Sequence, residues 1–209
     1  MNTFKSVKIS LAAAALTLPL VASAASTVTT GTGTLTATAT VNFTVIIPQY
    51  LYLRIGTGSS YATGALTGVS TTDLISFSPA VGSVGNGTAV AGTGGDLTGG
   101  VETAAVLGNG GNVTLTAAAT GPLTDSAGDT IPFTQITTAA AANTATYSTL
   151  AAPALSNTST SETITATNKV VKADAKWTFS YANSTTAPAG TYGGTTALNG
   201  IVTYTASMP

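Results

Sequence analysis

Between Val171 and Tyr181 every second side chain is apolar: Val171, Ala173, Ala175, Trp177, Phe179 and Tyr181 alternate with Lys172, Asp174, Lys176, Thr178 and Ser180. Successive side chains of a strand point to opposite faces, so this period predicts a strand with one buried and one wet face. The same period runs from Leu35 to Val45, with Leu35, Ala37, Ala39, Val41, Phe43 and Val45 apolar and Thr36, Thr38, Thr40, Asn42 and Thr44 between them. Ile46-Ile47 breaks the alternation and Pro48 removes a ladder donor. A further strand is expected from Tyr50 to Ile55, with Leu51, Leu53 and Ile55 on one face and Tyr50, Tyr52 and Arg54 on the other. Trp177 lies on an apolar row and is expected to anchor the core rather than serve as a ligand platform.

Weaker strand signals fall at Leu74–Phe77, Asn112–Ala117, Ile131–Ile136, Ala145–Leu150, Glu162–Ala166 and Ile201–Ala206, the last after the turn pair Asn199-Gly200. Thr137–Ala142 reads equally as a short helical turn or a small-residue loop. Abundant Thr and 23 glycines disfavour helix interiors. Many short strands with turns between them indicate an antiparallel all-β sandwich or barrel. The glycines between 82 and 100, and Gly108-Asn109-Gly110-Gly111, read as flexible surface loops. No Gly-Lys-Ser/Thr sequence follows them to cradle a phosphate.

Charge is the scarcest resource of the chain, at 6% of residues with no His and no Cys. Without His or Cys there is no Ser-His-Asp triad, Cys nucleophile, disulfide or His-ligated metal. Arg54, Lys169, Lys172 and Lys176 are the only basic residues beyond Lys5 and Lys8 and form no phosphate-neutralising patch, so nucleic acid is not expected as a partner. Seven acids leave the chain beyond residue 24 at a net charge of about −3. An enzyme using two of Asp73, Asp96, Glu102, Asp125, Asp129, Glu162 and Asp174 would need two carboxyls facing across a cleft, and no spacing nominates a pair. Asp125-Ser126-Ala127-Gly128-Asp129 offers carboxylates beside a Gly, but no Glu closes a Ca²⁺ loop, and a hairpin turn is expected. No catalytic, cofactor-binding or metal-binding residue is nominated, and a non-enzymatic protein is expected.

The first residues have the form of a secretory signal peptide over 1–24. Lys5 and Lys8 precede the apolar run Ile9–Val21, and Ala22-Ser23-Ala24 fits a cleavage site. No second long apolar run follows, so no membrane span is expected in the mature chain, which would reside in the periplasm, at the cell surface or outside a bacterial cell. Residues 25–209 are expected to form one β-domain. Ala25–Thr34 reads equally as a disordered tail or as a strand offered to an open sheet edge.

Three C-terminal stretches carry a resemblance: Trp177-Thr178-Phe179-Ser180-Tyr181, Pro188-Ala189-Gly190-Thr191-Tyr192-Gly193-Gly194 and Val202-Thr203-Tyr204-Thr205-Ala206. Over roughly the last 40 residues the chain resembles secreted bacterial immunoglobulin-like β-sandwiches, and fimbrial subunits of the common-pilus type in particular. The resemblance implies an immunoglobulin-like sandwich, a structural Tyr192 whose hydroxyl bonds nearby backbone, and polymerisation by strand addition. It also implies self-association through sheet edges and a periplasmic chaperone as a partner. A structural or adhesive subunit of a surface filament is therefore expected. The alternative is a monomeric carbohydrate-binding module presenting Tyr50, Tyr52 and Tyr61.

Overall fold

The computed structural model describes residues 26–57, 66, 68 and 71–209; the expected signal peptide over 1–24, Ala25 and Tyr61 lie outside them. The chain divides into two compact units, Met1–Ile47 and Pro48–Pro209.

The larger unit is all-β. Its strands are β1 (Leu51–Ile55), β2 (Ile75–Ser76), β3 (Val90–Ala91), β4 (Thr93–Gly94), β5 (Val101–Gly108), β6 (Val113–Ala118), β7 (Leu123–Thr124), β8 (Thr130–Ile131), β9 (Ile136–Ala141), β10 (Ser148–Thr149), β11 (Ser159–Ile164), β12 (Val171–Tyr181) and β13 (Thr203–Ser207). One sheet runs β1-β5-β12-β10, with β3 and β9 also bonded to β12, and a second runs β11-β6-β13. Two small two-stranded sheets, β2-β4 and β7-β8, complete the set. All pairings are antiparallel except β10 with β12, which is parallel.

The core lies between the two larger sheets. Ala104, Val106, Val171, Ala173, Ala175, Trp177 and Phe179 from one sheet pack with Val113, Leu115 and Ala117 from the other. Trp177 has no exposed surface, stacks at a tilt on Tyr204 with ring centroids 5.4 Å apart, and donates its indole N–H to the Leu150 carbonyl at 2.8 Å. It is the core anchor that its place on the apolar row predicts. The indole's polar edge is satisfied, so its full area can be buried without an orphan donor.

The strand Val171–Tyr181 spans the residues its alternation predicts. Its wet face needs one correction. Lys172 and Lys176 are exposed, but Asp174 is fully buried. The segment before β10 folds over it: Thr144 donates its backbone N–H to Asp174 at 3.2 Å and its hydroxyl to the other carboxylate oxygen, and Asn143 Nδ2 approaches at 3.5 Å. A buried carboxylate must be paired or hydrogen-bonded, and this loop supplies donors.

Several sequence expectations change. The central strand β5 carries no alternation because nearly every residue from Glu102 to Gly108 is buried. Ile131–Ile136 is not one strand: Thr130–Ile131 pairs with β7, Phe133–Gln135 is a 3₁₀ turn, and the chain then enters β9. Residues 136–141, expected in part as a helical turn or loop, form β9, whose small side chains let it lie along β12. Only Ser148–Thr149 of the 145–150 run is a strand.

The glycine-rich stretch 82–100 is held rather than loose. Asn183, fully buried, donates Nδ2 to the Ser83 carbonyl at 2.7 Å and accepts the Gly85 N–H on Oδ1 at 2.8 Å. Its own carbonyl accepts the Gly87 N–H at 2.8 Å. Gly100, at φ +73°, passes so close to Gly92 that a Cβ would strike the Gly92 backbone. Only glycine tolerates both the left-handed conformation and that approach.

The outward row of the three-stranded sheet is uncharged. Ser159, Ser161 and Thr163 of β11 lie beside Ala118, Thr116 and Thr114 of β6, which lie beside Thr203, Thr205 and Ser207 of β13. Thr116 and Ser161 hydroxyls bond across the strands at 2.8 Å.

Asp174→Ala is expected to destabilise the fold by about 2–3 kcal/mol, because the Thr144 donors lose their acceptor inside the protein. Lys172→Ala, on the exposed side of the same strand, is expected to change stability by under about 0.5 kcal/mol. Urea unfolding of both variants measures the difference.

Candidate functional site

The smaller unit is described from residue 26 to 47. No strand forms there; the Thr29 hydroxyl donates to the Thr36 carbonyl at 3.0 Å, and Thr40 is an isolated bridge position. Leu35–Val45, expected as a half-buried strand, is exposed throughout. Val41 is 68% exposed, Phe43 88% and Val45 83%, and Ile46 and Ile47 are equally open. The alternation is present, but its apolar row is left open among the described residues. Apolar side chains of this size lose about 1.5–3 kcal/mol each by staying in water.

The larger unit offers sheet edges. β13 pairs with β6 alone and β11 with β6 alone, while β1 pairs with β5 alone and β9 with β12 alone. An unpaired strand edge is a template for another strand unless charge, Pro or a bulge blunts it. Glu162 of β11 sits opposite the core residue Leu115, at a position whose side chain belongs on the inner face. A charge at such a position guards the edge. β13 carries no charged residue from Thr203 to Ser207. Its inner row, Val202, Tyr204, Ala206 and Met208, is only half-buried although it packs on the core. Leu53 and Ile55 of β1 are half-buried in the same way.

A cluster of carboxyls sits at the end of β1. Gly56 donates its N–H to the Thr103 carbonyl at 2.7 Å, and Thr57 donates its N–H to Asp73 at 2.7 Å. A Cβ at Gly56 would collide with carboxylate oxygens of both Asp73 and Glu102, so these two acids meet directly over the glycine. Asp96 accepts the Thr103 N–H at 2.9 Å and the Thr103 hydroxyl. That hydroxyl also accepts from Arg54 Nη2 at 3.2 Å. Burial, then the Asp73 charge, push the Glu102 carboxyl up to about 7. Two carboxylates this close cannot both ionise cheaply, so Glu102 keeps its proton to higher pH than an ordinary carboxyl. The same burial and the Glu102 charge raise Tyr204 on β13 above the usual phenol range. The spacing of Asp73, Asp96 and Glu102 along the chain conceals this cluster. The one local signal is an acid embedded in the apolar run Val101–Leu107.

The other sequence candidates separate. Asp125 accepts the Ala127 and Asp129 N–H groups, each at 2.9 Å, and turns β7 into β8 as the hairpin reading expects. Asp129 belongs to that same turn, and Glu162 and Asp174 stand on β11 and β12. No group of three or more metal-ligating acids is assembled among the described residues. The Tyr192 hydroxyl donates to the Pro188 carbonyl at 2.9 Å, the local backbone bond that the resemblance implies. Tyr50 is 38% exposed and Tyr52 is half-buried against Ala105 and Leu107. No helix among the described residues is long and apolar enough to cross a membrane. No family model, curated protein or solved structure matches the chain.

The Asp73–Glu102 pair makes stability depend on pH. Unfolded, Glu102 titrates near 4.5; folded, near 7. Between those values the folded chain binds more protons, so its stability falls as pH rises from about 4.5 to 7. Glu102→Gln keeps the shape without the charge and is expected to flatten that slope and melt higher than wild type at pH 8. Thermal melts from pH 4 to 8 check both points.

Proposed function

We propose that this chain is a non-enzymatic structural subunit of a bacterial surface filament, exported and joined to its neighbours by β-strand addition. One observation carries the reading: a run of alternating apolar residues, Leu35–Val45, lies exposed in a single copy of the chain. Such a run is built to be one strand of a sandwich, and its missing half has to come from another surface. Strand addition supplies that surface through main-chain bonds along an open edge and pockets for every second side chain.

The segment itself supports this use. Ala25–Thr34 and Leu35–Ile47 contain no charged residue and no Pro. The donor assigned here is Leu35–Val45 rather than Ala25–Thr34, because only the former carries a continuous apolar row. The absence of His and Cys removes the commonest nucleophile and base chemistry, which fits a structural role. With no disulfide framework, pairing and burial have to hold one subunit to the next.

Phe43 and Val41 give the test. Because both are exposed in the single chain, Phe43→Asp and Val41→Asp are expected to shift monomer stability by less than about 0.5 kcal/mol. Wild type is expected to form a high-mass ladder and fibres, read by light scattering and negative-stain microscopy, and each substitution is expected to abolish them. Deleting residues 26–34 is expected to leave both. A wild-type chain that stays monomeric at high concentration, or an unaffected Phe43→Asp ladder, would sink the reading.

A further inference from the structure

The strand-addition reading leaves open which edge of a neighbour is used, and the structure separates the candidates. β11 is guarded, since Glu162 occupies an inward position opposite Leu115, where an added strand would have to bury its charge beside a new apolar row. β9 is uncharged, but beyond Ile136 its inward positions hold only Thr138 and Ala140, opposite Phe179 and Trp177. That row leaves nothing large for an incoming side chain to cover. β1 carries a charge, Arg54, whose guanidinium is buried on the outer face against Thr103.

β13 differs from all three. It has no charge and no Pro between Ile201 and Met208. Its inward row holds Val202, Tyr204, Ala206 and Met208, each packed on the core yet still partly exposed to water. Its far end is fixed: Met208 Sδ accepts the Gly110 N–H at 3.1 Å and the Pro209 carbonyl accepts Gln49 Nε2 at 2.9 Å. The strand is therefore held along β6 and near β1 of the facing sheet, with its outer edge hydrogen-bonded to no strand among the described residues.

We propose that β13 of a second copy of this chain receives the Leu35–Val45 segment, an assignment that rests on the strand-addition reading above. The two surfaces match in kind. Both are free of charge, so neither partner has to bury an ion. Both alternate, with Leu35, Ala37, Ala39, Val41, Phe43 and Val45 on one side and Val202, Tyr204, Ala206 and Met208 on the other. Paired strands place residues of one face side by side, so the Phe43 ring and its apolar neighbours come to lie beside the partly exposed Tyr204 and Val202. The outward positions of both strands are Thr, Ser and Asn, which continue the hydroxyl surface already formed by β6 and β11. The added strand extends the three-stranded sheet by one and closes the partly exposed side of the core.

The chain has no Cys, so engineered cysteines report contacts without background. Two full-length single-cysteine variants with different tags are mixed and oxidised during assembly. One carries Asn42→Cys, with Thr40→Cys and Thr44→Cys to cover register shifts of two. The other carries Thr205→Cys on β13, or Tyr50→Cys at the start of β1, Ala139→Cys on β9 or Ser161→Cys on β11, all on outward rows. All of these positions are exposed, and melting curves verify that each variant folds. The expected result is a disulfide-linked pair of differently tagged chains with Thr205→Cys, at least about tenfold above the other three edges. A pair formed with one of the other edges instead overturns the β13 assignment and leaves strand addition standing. No pair with any edge overturns both. A double Asn42→Cys/Thr205→Cys variant that closes within one chain, at a rate independent of concentration, overturns the second copy as the occupant.

Discussion

The larger sheet hangs on one strand. β12 bonds β5 from Val171 to Thr178 and then β3 at Ser180 and Tyr181 along one side, and on the other it bonds β10 and β9. Every strand of that sheet reaches the core through it, directly or through β5. Trp177 sits on it at the middle of the sandwich, fastened by its N–H to the Leu150 carbonyl and pressed against Tyr204 of the opposite sheet. In a protein with no disulfide, removing a buried indole of this kind would cost about 3–5 kcal/mol, a large fraction of the stability of a single domain.

In a chain with so few charges the simplest arrangement keeps them all in water. Instead Arg54, Glu102, Asp125 and Asp174 are all buried. Each acts as a local tie. Asp174 holds the loop before β10, Asp125 turns a hairpin, Glu102 meets Asp73 over Gly56, and Arg54 reaches the Thr103 hydroxyl that Asp96 also engages. Charges withdrawn in this way leave the surface to Thr, Ser, Asn and Gly. They also leave sheet edges such as β13 without the ionic side chains that usually keep neighbours away.

How far the sequence discloses this depends on where water meets the strands. β12 could be read residue by residue because one of its faces is largely wet, and only Asp174 misleads, since a loop from elsewhere covers it. β5 carries no readable period, because burial on both faces erases the polar half of the pattern. β9 is written almost wholly in Ala and Thr, and its pairing with β12 is decided by tertiary contact rather than local preference. Leu35–Val45 shows the complementary limit. Its alternation declares that one face is to be covered and cannot say by which chain. The acids at 73, 96 and 102 come from separate segments, and only the crossing of those segments at Gly56 and Thr103 brings them together.

The hydroxyl-covered outer face of the three-stranded sheet has a consequence for the medium in which the protein works. Dissolved ions weaken attraction or repulsion only where fixed charges exist to be screened. A surface of Thr, Ser and Ala rows offers almost none, so its contacts with water and with neighbouring molecules should be nearly the same in dilute fresh water and in brine. Its solubility rests on hydroxyl hydration instead of net charge, which ties the behaviour of this face to water activity rather than to ionic strength.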